Sequence, residues 1–576
     1  MLSTDMLERV PSGLGLAVFV VFLGVSYVAL RMLALPKPLP GIPYNTEAAK
    51  SVLGDLPEFR AAPDRREWWA KQAVKHQSPL VQVFLRPFGR PWVFLADHYE
   101  ASDICMRHLK QFDRSYQTTA VFSGVTPSHH IGMRSNDPRF KKNKELIRDL
   151  MSASFLHEVS APQIHDKVST LMSLWDRKLH LAKGRPFDAS RDIHHTALDI
   201  IMAASFGLDS SRSQLSKQLS QLEIRTSPGD TDEKFEFKDV PLREELRFFT
   251  VLVDSIGIAV KSPIPRIHHF LYRNLSPKMR RARAGRDKLR NQEIANSVER
   301  KKSGRPQRCA LDNMLAREDA MAQKEGRDPN YYSETIMDEL LGYLVAGHDT
   351  TSSSLQWGTT FLTGDQRVQS TLRKALYEAH EQAKEEHRVP TTSEIAKQSV
   401  PYLDAVLEEI VRHAQSVAIT LRDALVDTQI LGVHIPKGTT VGIMANGPSI
   451  MLPSVHIDDA KRSKSSQAHM ERVHPFDDAT ITDFIPERWL KSQTNANGDE
   501  EMVFDAQNGP IQAFGMGPRA CFGKKLAYLE LRIFFTMVVW EFELGPLKPE
   551  LAKREASLSL TRIPKHVYVK LQKTTY

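Results

Sequence analysis

A mainly α-helical body with small β-sheets, held behind one N-terminal membrane-spanning helix, is the fold class that the sequence predicts. Three observations predict it. The 21 residues 10–30 carry no charge. Apolar residues recur at helical spacing over long stretches of the body, as at Met337, Leu340, Leu341, Leu344 and Val345. Strand-like runs, such as 429–434 and 439–443 around the turn Pro436-Lys437-Gly438, are short, as in folds whose sheets are secondary to packed helices. Of the 576 residues, 41% are hydrophobic and 25% charged, which excludes a disordered, collagen-like or polytopic membrane chain. Length alone allows roughly three or four domains.

Each element follows in order. A short tail, 1–9, precedes the apolar run. A helix of 21 residues just crosses a hydrocarbon core of about 30 Å. A cleaved signal peptide is the competing reading. Asp5 and Glu8 before the run, and the lack of a closing small-x-small site, favour a retained anchor. Arg31 and Lys37 follow it while acidic residues weaken the charge before it, so the bulk of the protein is expected in the cytosol. Pro36, Pro38, Pro40 and Pro43 then make 31–45 a semi-rigid spacer.

Two polar stretches, 210–238 and 458–473, read as surface insertions too poor in apolar residues to order themselves. Between them, Ser333 is placed to cap the helix that carries Met337–Val345 positions, and Pro401 opens another bearing Leu403, Val406, Leu407 and Ile410. The 77 Lys and Arg against 69 Asp and Glu, a formal charge of +8, are spread without a long run. That favours anionic lipid headgroups or an acidic protein partner over nucleic acid. Cys105, Cys309 and Cys521 are solitary, so neither a disulfide framework nor a structural zinc site is expected.

One thiol stands in a chemical setting. Phe514-Gly515-Met516-Gly517-Pro518-Arg519-Ala520-Cys521-Phe522-Gly523 leads straight into the helical pattern 524–539. A sulfur at a helix N-terminus meets free N–H groups and a dipole that favour its anion. Flanking glycines let backbone approach a flat ligand, and Arg519 adds a cation. A buried structural cysteine is one alternative. A dinucleotide loop through Gly515-x-Gly517-x-x-Ala520 is another, weakened because Pro518 removes an N–H.

Here the sequence resembles the cytochrome P-450 family of haem-thiolate monooxygenases, whose pattern Phe-x-x-Gly-x-Arg-x-Cys-x-Gly is matched at every specified position. Three further segments match in the family's order, so the resemblance spans nearly the whole chain and reduces the domain count to one catalytic body, 46–576. It implies that Cys521 is the axial thiolate of haem b iron, that Phe514 and Gly517 shape its loop, and that Arg519 pairs with a haem propionate.

The second segment is Ala346-Gly347-His348-Asp349-Thr350-Thr351. A Thr hydroxyl in a helix can bond back to the carbonyl four residues earlier, here Ala346, and open a local groove. An acid beside an alcohol can relay the protons that dioxygen reduction consumes, the role the resemblance implies for Asp349 and Thr350. His348 reads as a solvent or packing residue.

The third constellation joins Glu409 and Arg412, one helical turn apart, with Arg488 of Pro486-Glu487-Arg488-Trp489. In isolation this is a surface pair worth about 0–1 kcal/mol. The resemblance implies a buried cluster that locks the cysteine loop, with the stretch 458–473 lengthening the connection. In the fourth segment, Lys144-Glu145-Leu146-Ile147-Arg148, Arg148 matches a propionate donor while Lys144 stands where the family has Trp, as a replacement donor or a solvated lysine. Arg422 matches a further propionate position. The pairs His129-His130, His194-His195 and His268-His269 lack zinc-ligand spacing and are expected at surfaces or core edges.

The family implies an NADPH-dependent flavoprotein reductase as electron donor, because no flavin or iron–sulfur motif is present in the chain. It implies dioxygen as co-substrate, and substrate walls at 114–134, 340–345, 417–419 and 558–561 that suit a lipophilic molecule. The apolar, Pro-interrupted stretch 247–272 is placed to dip into membrane lipid or to pack as an ordinary helix. Expected are a hydroxylation or epoxidation in secondary-metabolite biosynthesis and an endoplasmic-reticulum location. An oxygen-independent haem-thiolate isomerase or dehydratase would not need Asp349 and Thr350, and a haem-based sensor would not need an anchor or a lipophilic pocket.

Overall fold

A computed structural model describes residues 13–224, 233–262, 264–495, 498–558 and 561–575. The N-terminal helix α1 (Gly13–Ala34) presents its apolar side chains from Leu16 to Leu33 outward, in a span, Leu16–Ala34, of mean hydropathy 2.2, and only Ala34 at its end is buried. Burying those side chains in lipid is the physical use of such a helix. Residues 10–12, expected at its start, lie outside the described residues. The Pro-rich stretch is docked rather than free. Gln82 donates to the carbonyls of Leu39 (2.8 Å) and Ile42 (2.6 Å) and accepts from the Leu39 N–H (2.8 Å), while Ile42 is buried against the sheet.

That sheet has five strands: β1 (Leu80–Val83), β2 (Trp92–Leu95), β3 (Phe112–Arg114), β4 (Ile419–Ala424) and β5 (Thr440–Met444). Their spatial order is β1-β2-β5-β4-β3, with β2 and β5 parallel and the other pairs antiparallel. The register sets Arg114 directly opposite Arg422. The expected run at 429–434 is the hairpin Thr428–Ile430 with Val433–Ile435.

The helices that carry the argument are α2 (His98–Met106), α3 (Pro138–Ile147), α4 (Ser190–Phe206), α5 (Arg247–Val260), α6 (Pro265–Leu275), α7 (Pro277–Lys302), α8 (Glu334–Gly364), α9 (Pro401–Ala414), α10 (Lys464–Met470) and α11 (Lys524–Glu541). Helix α8 starts as its sequence predicts: the Ser333 side chain accepts from the Ile336 N–H. It runs through the main core, where Leu355 and Trp357 of α8 meet Ile410 of α9 and Phe535 of α11, all fully buried. At Gly347 a Cβ would come within 2.6 Å of Ile201, so the missing side chain is what lets α4 lie close against α8.

The described residues of both polar insertions are more ordered than their composition suggests. Arg462 reaches both carboxylate oxygens of buried Asp97 (2.8 and 3.0 Å), and Ser463 and Ser465 donate to Asp103 of α2 (2.9 and 2.5 Å). Polar partners on α2, rather than apolar burial, therefore order 458–473 and its helix α10, which corrects the expectation. In the other insertion Asp199 accepts from Ser213 and from the Gln214 and Leu215 N–H groups. Residues 225–232 there lie outside the described residues.

Candidate active site

The cysteine loop is built by backbone geometry. Gly515 and Gly517 adopt φ of +62° and +69°, a region glycine enters without steric cost. A Cβ at Gly517 would stand 2.1 Å from the Cys105 carbonyl at the end of α2. The Cys521 N–H closes the loop on the Phe514 carbonyl at 2.8 Å, and α11 begins three residues later. Cys521 is exposed, yet protein atoms surround it closely. Burial pushes its thiol up, opposed by the Gly523 N–H, the Lys524 charge and the Lys524 N–H. The helix start thus helps the anion, as expected, without outweighing burial unaided.

Beside this loop lies an excess of cations. Arg114 and Arg422, cross-strand neighbours, and Arg519 form no ion pair among the described residues. Arg519 donates to the Met133 carbonyl (2.9 Å), while its Nε and Nη1 and the Arg114 Nε are buried without partners. Burial lowers Arg519 to about 10, partly offset by Asp113 and deepened by Arg422; burial, then Arg519 and Arg422, hold Arg114 well below its ordinary value. Like charges directly opposite in a sheet destabilise it, and buried donors without partners cost about 1–3 kcal/mol each. A ligand bearing two carboxylates, such as a haem with its propionates, would satisfy both deficits. The donor set and the open thiol beside it therefore fit the group that the cysteine pattern implies.

Arg148 is not brought to this group. Its side chain is 59% exposed and engages Glu145 (3.0 Å) and Asp149 (3.3 Å), the near neighbours its position in and just after α3 provides. Lys144 is closer to the loop: its ammonium lies 3.5 Å from the Pro518 carbonyl and is lowered by burial and by Arg519. Arg114 is the buried guanidinium beside this loop that sequence reasoning missed; its signal is the register with Arg422, which no local pattern shows.

On α8 the Thr350 hydroxyl donates to the Ala346 carbonyl at 2.6 Å, the back-bond expected. Asp349 is buried, with the His348 Nδ1 3.1 Å from its carboxylate and the His194 ring 4.3 Å from that of His348. Burial pushes the Asp349 carboxyl up, but the hydrogen bond and charge of His348, then the charge of His194, outweigh it and the net direction is down. His348 is thus a buried neighbour of the acid rather than a solvent residue.

The loop before α3 is pinned to α8. The Ser128 N–H donates to Asp338 (2.7 Å); the His130 N–H and ring both donate to Glu339 (2.7 Å each); Asn143 donates to Glu339 (2.8 Å). His129 Nδ1 accepts from the Ile131 N–H, leaving its Nε2 3.3 Å from Glu339. Burial takes His129 down to about 3 despite Glu339. The pair His129-His130 is therefore a hydrogen-bonded clamp. The Phe522 ring, next to Cys521, lies 6.4 Å from that of His130, which joins the cysteine loop to this clamp.

Glu409 is the centre of a buried network. It accepts from Arg412 Nη2 (2.7 Å) and Nε (2.9 Å), Trp489 Nε1 (2.8 Å), the Ile485 N–H (3.0 Å) and Arg488 Nε (3.1 Å). Glu409 and Arg412 side chains have no exposed surface. Burial opposes the Glu409 charge, but Arg412 and then His413 hold its carboxyl far below the usual range.

The family model described as Cytochrome P450 matches residues 49–447 and 481–571, so the chain belongs to the cytochrome P450 family of haem-thiolate oxidoreductases; the unmatched stretch encloses the insertion around α10. Among curated proteins it is 36% identical over 569 residues, covering 94% of this chain and 96% of the relative, to the cytochrome P450 monooxygenase TRI13 of Fusarium sporotrichioides. It is 34% identical to the cytochrome P450 monooxygenase GME11363 of Pestalotiopsis microspora, covering 95% of this chain and 96% of that one. To xilC of Penicillium rubens, also a cytochrome P450 monooxygenase, it is 35% identical, covering 95% and 94%. A crystal structure of a cytochrome P450 (CYP102L1) shares the fold with a TM-score of 0.65 at 18% identity, covering 94% of this chain and 100% of that one. The protein is a P450 monooxygenase.

Proposed function

We propose that this enzyme oxidises a lipophilic secondary metabolite by hydroxylation or epoxidation, with electrons from an NADPH-dependent flavoprotein reductase, at the cytosolic face of the endoplasmic reticulum. One observation carries the assignment of the centre: three guanidiniums without ion pairs among the described residues stand beside the only cysteine that is exposed. Haem b, bound through Cys521, would supply the activation of dioxygen by a thiolate-ligated iron. Arg519, Arg114 and Arg422 would hold its propionates, with Lys144 at their edge. Phe514 and Gly517 keep the loop thin and curved, and the network on Glu409 fixes the segment that leads to it.

Asp349 holds and passes a proton, and the Thr350 hydroxyl, half-exposed on the groove, hands it on. That pair disfavours an oxygen-independent isomerase or dehydratase. A gene-cluster monooxygenase, the Hps1-dma1 cluster protein cyp3.1 of Dothistroma septosporum, is 39% identical over 278 residues, which supports the metabolite reading. Membrane contact is supported at two places. Besides α1, the helix α6 exposes Ile267 (57%) and Phe270 (57%), so the stretch 247–272 has apolar side chains available to lipid. Of the expected substrate walls, 114–134 and 340–345 line a common cavity; residues 559–560 of another lie outside the described residues.

The test is a screen of lipophilic compounds for a shift of the haem absorption band, followed by turnover of the hits with NADPH and reductase. Oxygenated products from hits are expected. Hits that are isomerised or dehydrated without oxygen uptake would overturn the reading.

A further inference from the structure

A cavity of about 330 Å³ lies between α5, α7, the first turns of α8 and the loop at Gly124–Pro127 positions. Neither Cys521 nor Arg519 lines it. Its floor is apolar, with Phe206, Phe248, Leu252, Leu340 and Leu344, and four arginines line it: Arg273 of α6 and Arg283, Arg286 and Arg290 of α7. Their charges are not balanced within the wall. Arg286 (2.7 Å) and Arg290 (2.8 Å) share one carboxylate, Asp287. Arg273 and Arg283 have no ion pair among the described residues, and the Arg273 Nε is buried without a partner. Asp338 also lines the cavity, where it accepts from the Ser128 N–H and serves as a counter-charge to Arg286 and Arg290. Glu334 is exposed at the rim.

An apolar floor beneath unpaired guanidiniums recognises an amphipathic oxyanion, because guanidinium forks bind carboxylates through charge-assisted, often bidentate hydrogen bonds. Thr350 stands six residues beyond Leu344, which turns the helix by about 240°, so the cavity opens on a different face of α8 from the Thr350 hydroxyl. We infer that this cavity is an anion-binding site apart from the groove: Arg273 and Arg283 hold the carboxylate of a lipophilic acid whose apolar body lies on the leucines of α8. This goes beyond the proposed function.

The test uses the haem-loaded full chain in phosphatidylcholine nanodiscs and isothermal titration with 4-phenylbutanoate and its neutral isostere 4-phenylbutanamide. The carboxylate is expected to bind at least about tenfold more tightly, as one charge-assisted hydrogen bond allows. The double variant Arg273→Gln/Arg283→Gln should lose that preference while keeping its affinity for the amide. Equal affinities in the unaltered protein, or a preference that survives the double variant, would overturn the inference. Should the double variant fail to load haem, Arg283→Gln alone, at a half-exposed site without an ion pair, serves instead and should lose most of the preference. Repeating the titration in phosphatidylserine nanodiscs separates the sources of the anion. Weaker carboxylate binding there, in the unaltered protein only, assigns the site to a lipid headgroup and overturns the free-acid assignment; unchanged binding supports a free acid. The spectrum of the reduced, carbon-monoxide-bound protein keeps the two readings apart: a thiolate band without acid preference sinks the subsite alone.

Discussion

Replacing Glu409 by Ala removes the acceptor on which five donor atoms converge: two from Arg412 and one each from Arg488, Trp489 and the Ile485 N–H. Breaking a buried ion pair from one side costs about 3–5 kcal/mol, because the remaining charge stays buried. The Trp489 Nε1 and the Ile485 N–H lose their partner as well, at about 1–3 kcal/mol each. Against this, Arg412 keeps the carbonyls of Ile450, Ile481 and Asp483, so a net loss of about 4–6 kcal/mol is expected, from domain stabilities of about 5–15 kcal/mol. Glu409→Gln retains one acceptor oxygen and should lose roughly half as much. The assay is haem content per folded protein with a thermal inactivation half-life, since unfolding of a chain this long need not be reversible. Ala is expected to yield little holoprotein and Gln an intermediate amount. Glu409→Ala with full haem content and an unaltered half-life would refute the reasoning. The sign with pH follows from the direction of the shift. A carboxyl held below its unfolded value contributes stability throughout the neutral range and loses it only as pH falls through the folded value, in strong acid.

Other outcomes follow from the same site. Arg114→Gln should weaken haem retention about tenfold or more, measured by transfer of haem to apomyoglobin, whereas Arg148→Gln should leave it unchanged; the reverse pattern would restore the assignment from the α3 segment. Thr350→Ala should keep haem but divert NADPH electrons to peroxide, with Thr350→Ser recovering product, and unchanged coupling in the Ala variant would place proton delivery elsewhere. The Asp338 carboxyl is raised to about 6, so folding takes up a proton and the wild type loses stability as pH rises from about 4 to 6. Asp338→Asn should remove that slope in inactivation profiles across the interval, and an unaltered slope would mean the carboxyl does not titrate there.

What could be read from the sequence was local or carried by a pattern with fixed spacing. The Thr350 to Ala346 bond and the Glu409–Arg412 pair lie within one helical turn, so helix geometry alone brings them together. The cysteine loop was legible because its glycines, arginine and thiol sit in ten consecutive residues. Features made by distant chain were not. Arg114 meets Arg422 only through strand register. The stretch 458–473 is ordered by Asp97 and Asp103, and the pair His129-His130 is fixed by Glu339, partners some hundreds of residues away in sequence. A matched position does not say which partner an arginine takes, and Arg148 pairs with Glu145, one turn before it.

The central claim is that Cys521 carries the haem. The most direct measurement is the absorption spectrum of the reduced protein under carbon monoxide, taken for the unaltered chain and for Cys521→Ser. The unaltered protein should show the red-shifted band of thiolate ligation and the variant should lack it. A red-shifted band that persists in Cys521→Ser would contradict the account, since the ligand would then have to be another thiol.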